Sequence, residues 1–210
     1  RLIALDRPGY GYSSFDAERA GYSANGPELS ALIQRVDGLA DAPSVAVLGY
    51  SSGGPNALAA AHYLAALRGD AAGAVCVVGL ISPDGPYMEM EPDHRTFSHS
   101  MPITPEEASE AAEAMAKSLR ATYERMAGRP ERYEMLMADL NEATRQSTAA
   151  SAQDTLFERT RWDFRLEDVQ TRVLLWQGED DEDVPSPHNM ELMYNRDAEF
   201  RASYWNSLWF

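Results

Sequence analysis

The stretch "VLGYSSGGPNALA", Val47 to Ala59, runs an apolar segment into a glycine, two serines and two more glycines, then continues into alanine-rich sequence. Its first part belongs to "SVAVLGY" (44–50), a short continuous apolar run of the kind found in a parallel strand covered on both faces. The second part opens "GGPNALAAAHYLAALRG" (53–69), which reads as a helix. Pro55 falls in its first turn, where a missing N–H costs nothing, and Gly69 stands where it should stop. The chain therefore reverses from strand to helix within two or three residues around Ser51. So tight a turn forces its central residue into an unfavourable backbone conformation and leaves little room for side chains two positions to either side. Gly49 and Gly53 are expected to supply that room. The GxSxG pattern then sets the Ser51 hydroxyl at the carboxyl edge of a sheet and aims the Ser52 backbone N–H where an oxyanion would form. The positive end of the helix dipole lies behind both. A nucleophile and half an oxyanion hole are expected in adjacent residues.

Outward from this turn, strands and helices alternate. "RLIALD" (1–6) reads as a strand, and "PELSALIQRVDGLAD" (27–41) as a helix with Leu29, Leu32, Ile33, Val36 and Leu39 on one face. "AGAVCVVGLISP" (72–83) is a further strand. Alternation of this kind predicts right-handed βαβ units, hence an α/β fold with a doubly wound, mostly parallel sheet. The pattern breaks between about Asp84 and Asp168, where helical stretches replace strands. At "TPEE" (104–107), Thr104 is placed to cap, Pro105 takes the first helical position and Glu107 completes a capping box. Two further helices are expected in 129–146 and 152–162. An inserted helical lid is the natural reading, with Tyr133, Leu136, Met137 and Leu140 either lining an apolar pocket or packing lid helices together. "RVLLWQG" (172–178) resumes the sheet, "SPHNMELMYN" (186–195) reads as a short helix and "AEFRASYW" (198–205) as a last strand. The expected division is 1–84 core sheet and turn, 85–168 lid, and 169–210 the rest of the core.

Composition narrows the function classes. The 210 residues are 44% hydrophobic, enough for one buried core, and carry a formal charge of −15. Phosphate binding needs clustered cations, so a nucleic-acid partner is excluded. Lys117 is the single lysine among 18 basic residues, which removes the GxxxxGK loop and argues against Schiff-base chemistry. Cys76 lies in an apolar strand and reads as a small core residue. The longest apolar run is about half the roughly 20 residues a membrane helix needs, so no membrane span is expected. No leader with a cleavage site precedes Arg1; the expectation is a cytoplasmic protein whose start resembles a cut edge.

Three motifs in order resemble the α/β-hydrolase family, across nearly the whole chain. "DRPGYGYS" (6–13) is similar to the loop after the family's fourth strand, "GYSSGGPNALA" (49–59) to its nucleophile elbow and helix, and "WQGEDDEDVP" (176–185) to the loop carrying its acid. The resemblance implies a lidded serine hydrolase that cleaves a carboxylic ester, lactone or amide of a small molecule through an acyl-enzyme, without cofactor or metal. In the family pattern GxxDxxVP, matched by Gly178, Asp181, Val184 and Pro185, Asp181 is the candidate acid that orients a histidine. Asp180 and Asp183 are close rivals, and Asp84 is a second position used by some relatives. The five carboxylates of Glu179–Asp183 lack the glycine and ligand spacing of a calcium loop and read as solvated charge.

The family's HG-type oxyanion motif and its histidine turn are not among these 210 residues, so the chain reads as a partial core lacking its first strands and its final histidine turn. Such a core is expected to expose a sheet edge and to dissolve poorly alone. Of the four histidines, His62 lies eleven residues along a helix from Ser51 and reads as structural, while His94, His99 and His188 read as surface or capping residues with a minor claim to the role of base. The alternative function is a non-catalytic relative that binds a small molecule in the lidded pocket.

Overall fold

The computed structural model describes residues 1–42, 44–68, 75–86, 103–178, 181 and 200–202. In chain order the elements are α1 (Asn25–Arg35), β1 (Val45–Tyr50), α2 (Gly53–Arg68), β2 (Val75–Ile81), α3 (Pro105–Glu124), α4 (Pro130–Ala143), α5 (Ala149–Glu158), β3 (Arg172–Trp176) and β4 (Phe200–Ala202), with 3-10 turns at Tyr22–Ala24 and Leu166–Asp168. The strands form one sheet in the order β1-β2-β3-β4, each pair parallel, so the α/β class is as expected. The helix anticipated at 186–195 lies outside the described residues.

The chain divides into two compact units, Arg1–Arg19 with Pro102–Leu156, and Ala20–Met101 with Phe157–Phe210. The second holds the sheet. Alternation along β1 sends Val45 and Val47 to one face and Ala46, Leu48 and Tyr50 to the other. The first face is dry: Leu58, Ala61 and Leu64 of α2 and Ile33 of α1 pack with Val78, Leu80, Val173 and Leu175. Trp162, Phe164, Leu166 and Val169 complete this core, and Tyr22 packs edge-on against Phe157, Trp162 and Phe164. On the other face, Leu48 is 63% and Tyr50 70% exposed, so β1 is not covered on both sides as its sequence suggested. The strands advance across the sheet in a single direction. The β1–α2–β2 crossover sets α2 on the first face, while on the second the exposure is greatest at β1 and falls to half-burial at Leu174 and Trp176 of β3.

The first unit lacks the strand expected at its start. Residues 1–6 join no strand ladder among the described residues, and Leu2 is 84% exposed. An apolar run becomes a strand only when a neighbour completes the ladder, and in the described sheet β1 pairs with β2 alone. Instead, residues 6–19 form a loop held by side-chain amides of the helical segment. Gln146 Nε2 donates to the carbonyls of Gly11 and Ser13, and Gln153 Nε2 to those of Asp16 and Arg19. Asp154 gathers Arg7, the Tyr10 hydroxyl at 2.7 Å and the buried Arg19 guanidinium at 3.9 Å. Gly11 sits at φ 49°, in the left-handed region where a side chain would be strained. The capping box forms as anticipated: Glu107 N–H donates to Thr104 Oγ1 at 3.2 Å, and Thr104 N–H to Glu107 Oε2 at 2.8 Å. Of the face expected on α4, Leu140 is buried and Tyr133, Leu136 and Met137 are half-buried.

Candidate functional site

Ser51 is the first residue beyond β1 and has φ 50°, in the left-handed region that side chains other than glycine seldom enter. The surrounding backbone explains why it stays there. Its N–H donates to the Ile81 carbonyl at 3.0 Å, and its carbonyl accepts from Gly54 N–H at 2.9 Å and Asp84 N–H at 3.1 Å. Three bonds fix one strained residue. Ser52 follows, half-buried, with its carbonyl accepting from the buried Asn56 amide at 2.9 Å, so the turn is tied into the first turn of α2.

The two motif glycines are not equivalent. A Cβ on Gly49 would stand 2.5 Å from the Gly53 carbonyl oxygen and 2.9 Å from Ala57 Cβ, so residue 49 has to be small. A Cβ on Gly53 would meet nothing within 4 Å. The residue that needs to be small on the helix side is Gly54, where an added Cβ would lie 2.5 Å from Pro83 Cβ. The sequence reading of Gly53 is corrected accordingly: the helix leaves the turn at an angle that opens space at its first position and closes it at the second, against the end of β2.

Ser51, Asp84 and Asp181 follow three successive parallel strands, β1, β2 and β3, and therefore share the carboxyl edge of the sheet. Asp84, 7% exposed, is joined to the Ser51 turn through its own backbone N–H. Asp181 follows the next strand, half-buried, and its Oδ2 accepts from Gln177 Nε2 at 3.1 Å. Gln177 is itself buried, so this bond ties Asp181 to the end of β3. Strand spacing of about 4.8 Å puts the axes of β1 and β3 roughly 10 Å apart, with the β2 end between them. Asp180, Asp183, His94, His99 and His188 lie outside the described residues. His62 is turned to structural use: Nδ1 is 3.0 Å from the Asp168 carbonyl, and the ring stacks on Phe164. The roles of Gly54, Asn56 and the β2 end escaped the sequence reading, because each depends on residues that the βαβ crossover brings together.

Among the described residues no group of three or more His, Cys, Asp or Glu side chains is arranged to hold a metal ion, and no helix is long and apolar enough to cross a membrane. Burial first, then the Asp154 carboxylate at its hydroxyl, pushes the Tyr10 phenol above its ordinary value. Burial and the neighbouring Asp163 act on Tyr63 in the same direction.

Comparison with known proteins agrees with this architecture. An esterase from Exiguobacterium antarcticum is 19% identical, with a TM-score of 0.65 over 96% of this chain and 71% of its own. An esterase from Rhodococcus sp. ECU1013 is 25% identical, with a TM-score of 0.56 over 98% of this chain and 72% of its own. The enol-lactonase from Burkholderia xenovorans LB400 is 14% identical, with a TM-score of 0.61 over 95% of this chain and 70% of its own. No curated protein sequence matches the chain. The family described as the alpha/beta hydrolase family matches residues 1–203. The chain thus belongs to the alpha/beta hydrolase family.

Proposed function

We propose that the chain carries the nucleophile of a serine hydrolase acting on a carboxylic ester, lactone or amide of a small molecule. The observation that carries the reading is the Ser51 turn: a non-glycine residue at φ 50° between strand and helix, held by three backbone bonds at the carboxyl edge of a parallel sheet. Strain that the surroundings over-determine is characteristic of working residues. Similar structures from Exiguobacterium and Rhodococcus are esterases and one from Burkholderia is an enol-lactonase, which favours ester or lactone as the bond cleaved.

In this reading Ser51 Oγ attacks the carbonyl carbon while a histidine base removes its proton. The tetrahedral oxyanion takes a hydrogen bond from Ser52 N–H, and the leaving group departs with the proton as the acyl-serine forms. Water, deprotonated by the same base, then releases the acid and restores Ser51. Asp181 orients and stabilises the imidazolium, with Asp84 as the second position for that role. His94, His99 and His188 are the histidines of this chain open to testing as base, since His62 is engaged with Asp168. In this reading the helical insertion, residues 85–168, has the role of a lid.

A fluorophosphonate probe tests the reading. The folded protein should acquire one adduct, on the peptide containing Ser51, and Ser51→Ala should abolish it. A folded sample with no adduct at Ser51 would overturn the reading, and thermal stabilisation by esters without turnover would favour a binding protein instead.

A further inference from the structure

We propose that the Ser82–Pro83–Asp84 turn is a positioning element that aims the Ser52 N–H at the oxyanion; this rests on the reading of Ser51 as nucleophile. Among the described residues, Ser51 and Ser82 are the two non-glycine residues with positive φ, at 50° and 41°. Each is the first residue past its strand, and each donates its N–H to the last carbonyl of the next strand: Ser51 to Ile81 at 3.0 Å, Ser82 to Trp176 at 2.8 Å. The strained conformation is therefore repeated on neighbouring strands.

At Ser82 that conformation has a consequence for Ser51. The left-handed residue turns the chain sharply, and two residues later Asp84 N–H reaches the Ser51 carbonyl at 3.1 Å. Gly54 N–H reaches the same oxygen at 2.9 Å from the opposite element. The carbonyl of Ser51 and the N–H of Ser52 belong to one planar, trans peptide and point in opposite directions. Holding the oxygen with two donors from β2 and α2 therefore fixes the direction of the Ser52 N–H. It also polarises that peptide, which strengthens its N–H as a donor. Pro83 supplies the fit, because its ring atoms occupy the space that a side chain at Gly54 would fill.

The test is a series at Ser82 read by the second-order rate of fluorophosphonate labelling at Ser51, well below the melting transition, together with amide hydrogen exchange at Asp84. The rates should follow tolerance of left-handed backbone rather than side-chain size. Ser82→Gly and Ser82→Asn should rank with the natural residue and Ser82→Val well below. Removing an oxyanion donor costs about 100- to 1,000-fold, and misdirecting one should cost about 10- to 100-fold. Should Ser82→Val fail to fold, Gly54→Ala, which drives Pro83 from α2, should slow labelling similarly, with recovery in the Gly54→Ala/Pro83→Gly pair. Equal labelling across the Ser82 series, or a slow Gly54→Ala variant that Pro83→Gly leaves slow, would overturn the proposal. If the natural chain takes no label, the nucleophile reading fails by itself. The clamp is then judged by exchange: an Asp84 amide protected in Ser82→Gly and fast in Ser82→Val upholds it, and one fast in both refutes it.

Discussion

The motif glycines offer the sharpest check on the geometry, because the motif treats Gly49 and Gly53 alike and the structure separates them. In Gly49→Ala the new methyl lies 2.5 Å from the Gly53 carbonyl oxygen, 2.8 Å from the Gly53 carbonyl carbon and 2.9 Å from Ala57 Cβ. Two of these are backbone atoms of a helical turn, so α2 or β1 has to shift. Overpacking of this kind costs about 1–3 kcal/mol, and the backbone contacts place Gly49→Ala near the middle, at about 2 kcal/mol. For a chain of this size each kcal/mol moves the melting temperature by about 2–4 °C, which gives a fall of about 4–8 °C. Gly53→Ala meets no atom within 4 Å and demands no left-handed backbone. It should stabilise by about 0.4–1 kcal/mol, by removing freedom from the unfolded chain, and raise the melting temperature by about 1–4 °C. Intrinsic tryptophan fluorescence is a suitable probe, since Trp162 is buried in the core that α2 covers. A Gly53→Ala variant that melts as low as Gly49→Ala would show that α2 leaves the turn along a different line, and would remove the basis for the Ser51 geometry.

The fold holds Tyr10 as the neutral phenol, with its folded pKa raised above the ordinary 10.0. The stability so gained is complete below the unfolded value and is lost as pH rises through the folded one. Unfolding free energy should therefore decline from about pH 10 upward more steeply in the natural protein than in Tyr10→Phe, as judged by urea midpoints across that range; parallel pH profiles would refute the assignment. On the sheet, Leu48 and Tyr50 expose apolar surface beside Ile81, itself 45% exposed and in register with Tyr50. Leu48→Glu and Tyr50→Glu should lower light scattering and raise solubility, because a charge on an exposed edge strand opposes strand-to-strand association. Scattering that does not change in either variant would rule out this face as the source of association.

How much of this was legible in the sequence depended on the span of the interaction. The capping box of Thr104 and Glu107 closes within four residues and was readable outright; so was the strand–turn–helix frame of Ser51, because the apolar run, the glycines and the helix are contiguous. The parallel sheet followed from alternation of elements. Where a partner lies far along the chain, the local pattern was insufficient. "RLIALD" has the composition of a strand but is not one in the structure, because pairing is a property of two segments. Gly53 was assigned a steric duty that belongs to Gly54, since the obstacle, Pro83, lies about thirty residues away and arrives only when the β1–α2–β2 crossover closes. Ser82 carries no signal at all: serine is an ordinary residue after a strand, and its left-handed conformation becomes visible only beside Trp176 of β3. The motif thus names the residue that strains, while the end of the neighbouring strand β2 supplies bonds that hold it there. Changes at the β2 end should accordingly act on Ser51 more strongly than their distance in sequence suggests, and changes at Gly53, inside the motif, more weakly.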